Sequence, residues 1–335
     1  MPARKKDTLF FDRPPVVAAW AAAGGKKESE GPLSSQFDFL TQDGGFSAQG
    51  CTDWEQAESL LQQQAAGLCL RKAGVARKDV QLTFAGDLQA QCTASNYTMR
   101  TLGTPFAGVY GACSTMAETL ALAACGLAQQ ALALTSSHFC AAERQFRTPL
   151  SYGAKRTPTA QWTATAAGAC LVRAPGAAGV PVFSVTFGRV QDYAVRDINN
   201  MGAAMMPAAA DTLLRYFDAT GASPQDFDAI FTGDLGQVGG ELLREQMDKE
   251  GLPMPNHRDC GCLLYKVEEQ NVQAGGSGAG CSAAVLCSHI LPGLQAGRYR
   301  RVLFAATGAL MSQTTFLQGE SIPGIAHCVE LGGAV

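Results

Sequence analysis

The chain has 335 residues, 47% of them hydrophobic and 16% charged, with 37 glycines and 12 cysteines. That length supports a large core, arranged as two domains or as one duplicated domain. A net charge of −3 and a pI near 5.8 argue against nucleic acid as a partner. No apolar run reaches the roughly 20 residues that a membrane-spanning helix needs.

In chain order, residues 1–50 read as an irregular N-terminal arm. Its apolar stretch Pro14–Ala23 is too short to span a membrane and is broken by prolines, no signal-peptide core follows the basic start Met1–Lys6, and Gly24–Gly31 and Gln42–Gly50 read as loops. Thr52 with Glu55 three residues on reads as a capping box, with Thr52 as the cap, opening a helix that Gly74 closes. A strand over Val80–Ala85 leads to the turn Gly86-Asp87-Leu88. Next comes Gly108-Val-Tyr-Gly-Ala-Cys-Ser-Thr-Met-Ala-Glu118, which places Cys113 on the first turn of an apolar helix over 114–131. Free N–H groups and the dipole at a helix start stabilise a thiolate, and they equally hold an oxyanion or a carboxylate. The segment therefore suits nucleophilic thiol chemistry or the grip of an anion. The cysteine spacing fits neither a disulfide framework nor a zinc module.

After the strand Ala131–Ser136, an insert over 136–160 carries His138, Glu143, Arg144, Arg147, Lys155 and Arg156. It is either a surface loop tied down by salt bridges or a lid that brings cations over the start of the Cys113 helix. A strand over Trp162–Arg173 follows. The pattern then recurs. A helix opens at Asp211 and ends at Gly221, and a strand covers Phe227–Thr232. The turn Gly233-Asp234-Leu235 matches Gly86-Asp87-Leu88, and Gly278-Ala-Gly-Cys281-Ser282 opens a second apolar helix before the strand Arg301–Ala306. The same order of elements twice implies a duplication, with predicted halves at 51–185 and 186–335.

A duplicated α/β unit with a cysteine opening the first central helix resembles the thiolase superfamily. The resemblance covers roughly residues 30–335 and implies a five-layer α-β-α-β-α fold, with Cys113 where those enzymes keep their acylated nucleophile. More specific strings are Gly31-Pro-Leu-Ser-Ser-Gln-Phe-Asp, Phe84-Ala-Gly-Asp-Leu, the Cys113 segment, Glu143-Arg-Gln-Phe-Arg-Thr-Pro-Leu and Arg156-Thr-Pro-Thr-Ala-Gln-Trp-Thr. These are similar to the stage V sporulation protein AD family. That likeness implies a protein of endospore-forming bacteria that binds dipicolinic acid (pyridine-2,6-dicarboxylate), free or as its calcium chelate. It implies a part in uptake of that acid into the developing spore, as a soluble or peripheral partner of the SpoVA membrane proteins at the spore inner membrane. Likeness to thiolase-fold proteins also implies a homodimer. No cofactor or metal centre of the chain's own is expected.

Condensing chemistry in the superfamily needs a second-half His, with an Asn or a second His, beside the thiol. Here the matching turn carries Asp234, which would raise the thiol's pKa, and residues 274–284 contain neither His nor Asn. His138 and His327 are the histidines left to pair with Cys113 if the chain is an acyltransferase or condensing enzyme; His289 reads as a packed helix residue. The leading expectation is instead a binding site. Cys113 and Ser114 would offer helix-start donors, Tyr110 a stacking ring, and Arg144, Arg147, Lys155 and Arg156 positive charge, with His138 facing the ligand. Asp87 and Asp234 are either turn caps or, if calcium accompanies the ligand, part of its site. A third expectation is an adaptor whose outer surface docks membrane partners.

Overall fold

The computed structural model describes residues 2–43, 46, 50–126, 128–146 and 156–333. Its strands are β1 (Ala3–Lys5), β2 (Thr8–Phe10), β3 (Val16–Gly24), β4 (Phe39–Leu40), β5 (Leu82–Gly86), β6 (Phe106–Gly108), β7 (Gln130–Ser137), β8 (Trp162–Thr163), β9 (Ala166–Arg173), β10 (Val180–Thr186), β11 (Ala229–Thr232), β12 (His257–Asp259), β13 (Gly276–Ser277), β14 (Arg301–Ala309) and β15 (Gly324–Gly332). The helices are α1 (Lys26–Ser29), α2 (Trp54–Ala73), α3 (Thr93–Leu102), α4 (Thr115–Ala124), α5 (Phe139–Phe146), α6 (Met201–Thr220), α7 (Gly236–Lys249), α8 (Cys260–Leu264), α9 (Ala279–Val285), α10 (Leu291–Gln295) and α11 (Gln313–Leu317), with a π-helical turn, Leu286–Ile290, joining α9 to α10.

Two sheets repeat one topology. The first runs β3-β9-β7-β5-β6 and the second β10-β15-β14-β11-β12. In each, the middle one of the first three strands runs antiparallel to both its neighbours, and the last three strands are parallel. β10 pairs with β3 at Val180↔Val17 and Pro181↔Val16, which joins the sheets along one edge. α2 covers the outer face of the first sheet, and its residues Ala57, Leu61, Ala65 and Cys69, four apart, are buried there. α6 covers the outer face of the second sheet and packs on α7. Between the sheets lie α4 and α9. Both are apolar nearly all round, as a helix buried on every side must be. The result is the five-layer order α-β-α-β-α. Close approach needs small residues: a Cβ on Gly168 of β9 would stand 2.5 Å from the Ala283 carbonyl of α9.

The segment read as an irregular arm contains β3, which pairs with β9 on one side and with β4 and β10 on the other and is the counterpart of β10 in the second sheet. Eight of its nine residues are sequestered inside or pressed closely against neighbours, so it shows no polar–apolar alternation to announce a strand. Three further boundaries differ. Asp53, not Thr52, caps α2, its side chain accepting from Gln56 N at 2.8 Å, while Gln56 Oε1 accepts from Thr52 N at 3.0 Å. α6 opens at Met201 behind the Asn200 cap, ten residues before Asp211. The expected strand over Trp162–Arg173 is two strands, β8 pairing with β13 and β9 with β3 and β7. The cap gives a direct check. Asp53→Ala should lower stability by about 1 kcal/mol in denaturant unfolding, while Thr52→Ala should change it by less than half as much; equal losses would return the cap to Thr52.

Candidate functional site

The chain reaches Cys113 through a strained elbow. Ala112 adopts φ of 51°, a left-handed conformation uncommon for alanine. Ser114 N and Oγ both donate to the Gly111 carbonyl, at 3.0 and 2.6 Å. Thr115 Oγ1 donates to the Ala112 carbonyl at 2.6 Å and accepts from Gly111 N at 3.1 Å. The end of β14 presses on this turn: a Cβ on Gly308 would sit 2.2 Å from the Gly111 carbonyl oxygen and 3.0 Å from Ser114 N. The elbow points Cys113 into the seam between the two halves, where it is 9% exposed.

Three second-half elements meet it there. Ser277 Oγ of β13 lies 3.9 Å from Cys113 Sγ and donates to Asp234 Oδ2 at 3.0 Å. Gly278 N also donates to Asp234 Oδ2, at 2.9 Å, and Thr307 Oγ1 of β14 donates to Asp234 Oδ1 at 2.8 Å. Asp234 is wholly buried in the turn after β11. Burial pushes its carboxyl up to about 6; the bonds from Gly278, Cys113 and Thr307 hold it down, and the nearby Asp259 adds to the rise. Cys113 is driven well above the ordinary thiol range, first by burial and then by the Asp234 charge, with Ser277 and Gly278 only partly offsetting them. At this helix start, desolvation and a neighbouring carboxylate outweigh the dipole that the sequence led us to weigh.

A narrow cavity with about 40 Å³ of internal space opens above this group. Its lining mixes polar residues, among them Tyr110, Cys113, Gln161, Thr163, Asn199 and Ser277, with apolar ones, among them Leu88, Ile198, Met201 and Met311. Tyr110 is 47% exposed at the rim. Gln161 Nε2 donates to the Asp234 and Gly276 carbonyls at 2.6 and 3.0 Å, which leaves its buried Oε1 without a protein donor. Thr163 Oγ1 donates to Glu143 Oε1 at 2.9 Å. None of the described residues lining the cavity is Lys, Arg or His.

Of the described site residues expected from the sequence, Cys113 and Tyr110 line the cavity, and Ser114, His138, Arg144, Arg156 and Asp87 are placed elsewhere. Ser114 turns its donors into the elbow. His138 stacks on Trp54 with ring centroids 5.3 Å apart. His327 Nδ1 accepts from Gly188 N at 3.1 Å, and burial, then the Arg215 charge, lower the ring to about 4. Neither histidine therefore meets Cys113. His289 is a packed helix residue, its ring nitrogens against Gln36 and Tyr299. Arg144 pairs with Glu55 of α2. Arg156 pairs with Glu143 at 3.4 Å, donates to the Gln161 carbonyl at 2.6 Å and lies over Trp162 at 4.9 Å, so it buttresses the cavity wall from behind. Asp87 takes the turn-cap role, accepting from Gln89 N, Ser95 N and Ser95 Oγ at 2.7–2.9 Å. Arg147 and Lys155 lie outside the described residues. Ser277, Thr307 and Gln161 were missed. Gln161 stands inside one of the family-like strings and Ser277 in the glycine-rich segment before the second helix, whereas Thr307 carries no local signal.

The duplicated five-layer fold, with an elbow cysteine at the start of its first central helix, defines a thiolase-like protein. Solved structures agree. The chain is similar to 3-oxoacyl-[acyl-carrier-protein] synthase III from Aquifex aeolicus, with a TM-score of 0.58, 12% identity and 95% and 99% of the two chains covered. It is also similar to cerulenin-bound OleA from Xanthomonas campestris, with a TM-score of 0.59, 13% identity and 98% and 99% covered. At such identities the likeness establishes the fold alone. The sequence goes further. The model of the family Stage V sporulation protein AD (SpoVAD) matches residues 5–332. The Stage V sporulation protein AD of Bacillus subtilis (strain 168) is 43% identical over 340 residues, covering 98% of each chain. The chain belongs to the stage V sporulation protein AD family and is a sporulation protein. No helix among its described residues is long and apolar enough to cross a membrane.

Proposed function

We propose that the cavity above Cys113 is a non-catalytic binding site for dipicolinate, and that the chain hands this ligand to SpoVA membrane proteins at the spore inner membrane for uptake into the developing spore. The observation that carries this reading is the contact of Cys113 with Ser277 and Asp234 in place of a base. A thiol beside a buried carboxylate stays protonated, and acyl transfer needs the thiolate. What remains is a narrow cleft between two halves whose lining mixes apolar and polar side chains, as small-molecule sites do, and which has to widen to admit the ligand. Tyr110 at the rim offers an exposed ring face on which, in this reading, the pyridine stacks. Membership of a sporulation family supplies the setting. Calcium enters, in this reading, only with the ligand as its chelate, and a homodimer is the proposed assembly.

Calorimetric titration with pyridine-2,6-dicarboxylate should give saturable binding, and the 2,4- and 3,5-isomers should bind at least about tenfold more weakly, because misplacing one carboxylate strands polar atoms of the cleft. Equal affinity for all isomers, or transfer of an acyl group from acyl-CoA to Cys113, would overturn the reading. Tyr110→Ala should weaken binding about fivefold through loss of the stacked face, with the melting temperature unchanged.

A further inference from the structure

We propose that Asp234 makes anion binding at this site proton-coupled: a ligand carboxylate settles over Cys113 and Ser277 as Asp234 takes up a proton. This rests on the binding reading above and specifies the charge balance at that site.

The geometry poses a problem that a dianion must solve. Every donor around Asp234 is turned toward it: Ser277 Oγ at 3.0 Å, Gly278 N at 2.9 Å and Thr307 Oγ1 at 2.8 Å. While Asp234 is ionised, Ser277 spends its only proton on the carboxylate and shows the cavity a lone pair. Gln161 adds no donor, since its Nε2 is already engaged by the Asp234 and Gly276 carbonyls. Around Cys113 and Ser277 the described lining therefore offers a carboxylate neither a cation nor the Ser277 proton, the wrong polarity for an anion.

One proton reverses it. When Asp234 is protonated, its O–H donates to Ser277 Oγ, and the Ser277 proton is released to point into the cavity. Cys113 S–H, freed from the carboxylate's pull, becomes a second donor. The proton comes from solvent, and no bond other than O–H is made or broken. Among the neighbouring ionisable groups, Asp259 at the end of β12 adds negative charge that favours uptake of the proton, the Cys113 hydrogen bond opposes it, and Cys260 of α8 and Cys281 of α9 are buried neutral thiols. Glu143 and Arg156 offset each other behind Thr163. Burial already holds the empty-site carboxyl near 6, so an anion that raises it by more than about two units draws nearly a full proton at pH 7.5.

The test is titration of the full chain with dipicolinate at pH 7.5 in phosphate and in Tris, whose ionisation heats differ. Uptake approaching one proton per ligand is expected, with affinity falling roughly tenfold per pH unit between about pH 6 and 8. Saturable binding with the same heat in both buffers would overturn the coupling while leaving the site itself standing. Absence of saturable binding in either buffer would instead sink the binding reading and this inference with it. Asp234→Asn should abolish the uptake and flatten the pH profile; uptake that survives this change belongs to another group and refutes the assignment. Ser277→Ala, which keeps Asp234, should weaken binding yet retain the proton, and it serves if Asp234→Asn fails to fold.

Discussion

Asp234→Asn is expected to speed alkylation of Cys113 at pH 8 by at least about tenfold, because each unit by which a thiol's pKa falls multiplies its thiolate fraction about tenfold. The sign follows from the contacts. The thiol is pushed up by burial and by the Asp234 charge; burial persists in the variant, but the charge does not. The amide oxygen of asparagine can still accept from Gly278 N and the fold of the turn has reason to survive. Peptide-resolved mass spectrometry with iodoacetamide would follow Cys113 separately from the other 11 cysteines, with half-buried Cys125 as internal reference. A rate for Cys113 unchanged relative to Cys125 would mean that burial alone silences the thiol and that Asp234 has no electrostatic hold on it. Faster alkylation without any acyl adduct from acyl-CoA would separate a reactive thiol from a condensing enzyme, since the variant still lacks a base beside it.

The second large effect is expected at Gly308. Alanine there places a Cβ 2.2 Å from the Gly111 carbonyl oxygen and 3.2 Å from Cys113 N, both backbone atoms with no rotamer to yield. Either the end of β14 or the elbow must move. Overpacking of this kind costs on the order of 3 kcal/mol, and the movement carries Thr307, one residue away, off Asp234. Gly308→Ala should therefore lose both thermal stability and at least about tenfold in dipicolinate affinity. A variant as stable as the parent, binding equally well, would show that the contact between β14 and the elbow is loose. Gly319, in a turn with nothing near its Cβ position but with φ of 74°, is a useful contrast: alanine there should cost backbone strain without touching the site.

Much of this molecule is written locally. The cysteine at a glycine turn before an apolar helix, the paired Gly-Asp-Leu turns after two strands, and the caps Gly74 and Gly221 are each set by neighbours a few residues apart, so periodicity and turn chemistry reveal them. The repeat of those signals in order made the duplication legible, and the family-like strings pointed to a thiolase scaffold. The sequence also placed an acid, Asp234, in the turn where a base was needed. What it determined was therefore the order of elements, the fold and the absence of a histidine at two key positions. The tertiary structure decided everything that depends on burial and on approach across the seam. β3 was hidden because a strand covered on both faces shows no alternation. The twin aspartates look alike in sequence, yet Asp87 caps a turn toward α3, while Asp234 meets Ser277, Thr307 and Cys113, residues between 43 and 121 positions distant from it. The arginines of the insert looked like ligand cations until Arg144 and Arg156 were seen paired with Glu55 and Glu143. Whether a charge faces a ligand or a partner, and whether a thiol ionises, is fixed by desolvation and by distances of a few ångströms between residues far apart in the chain, quantities that no local pattern encodes.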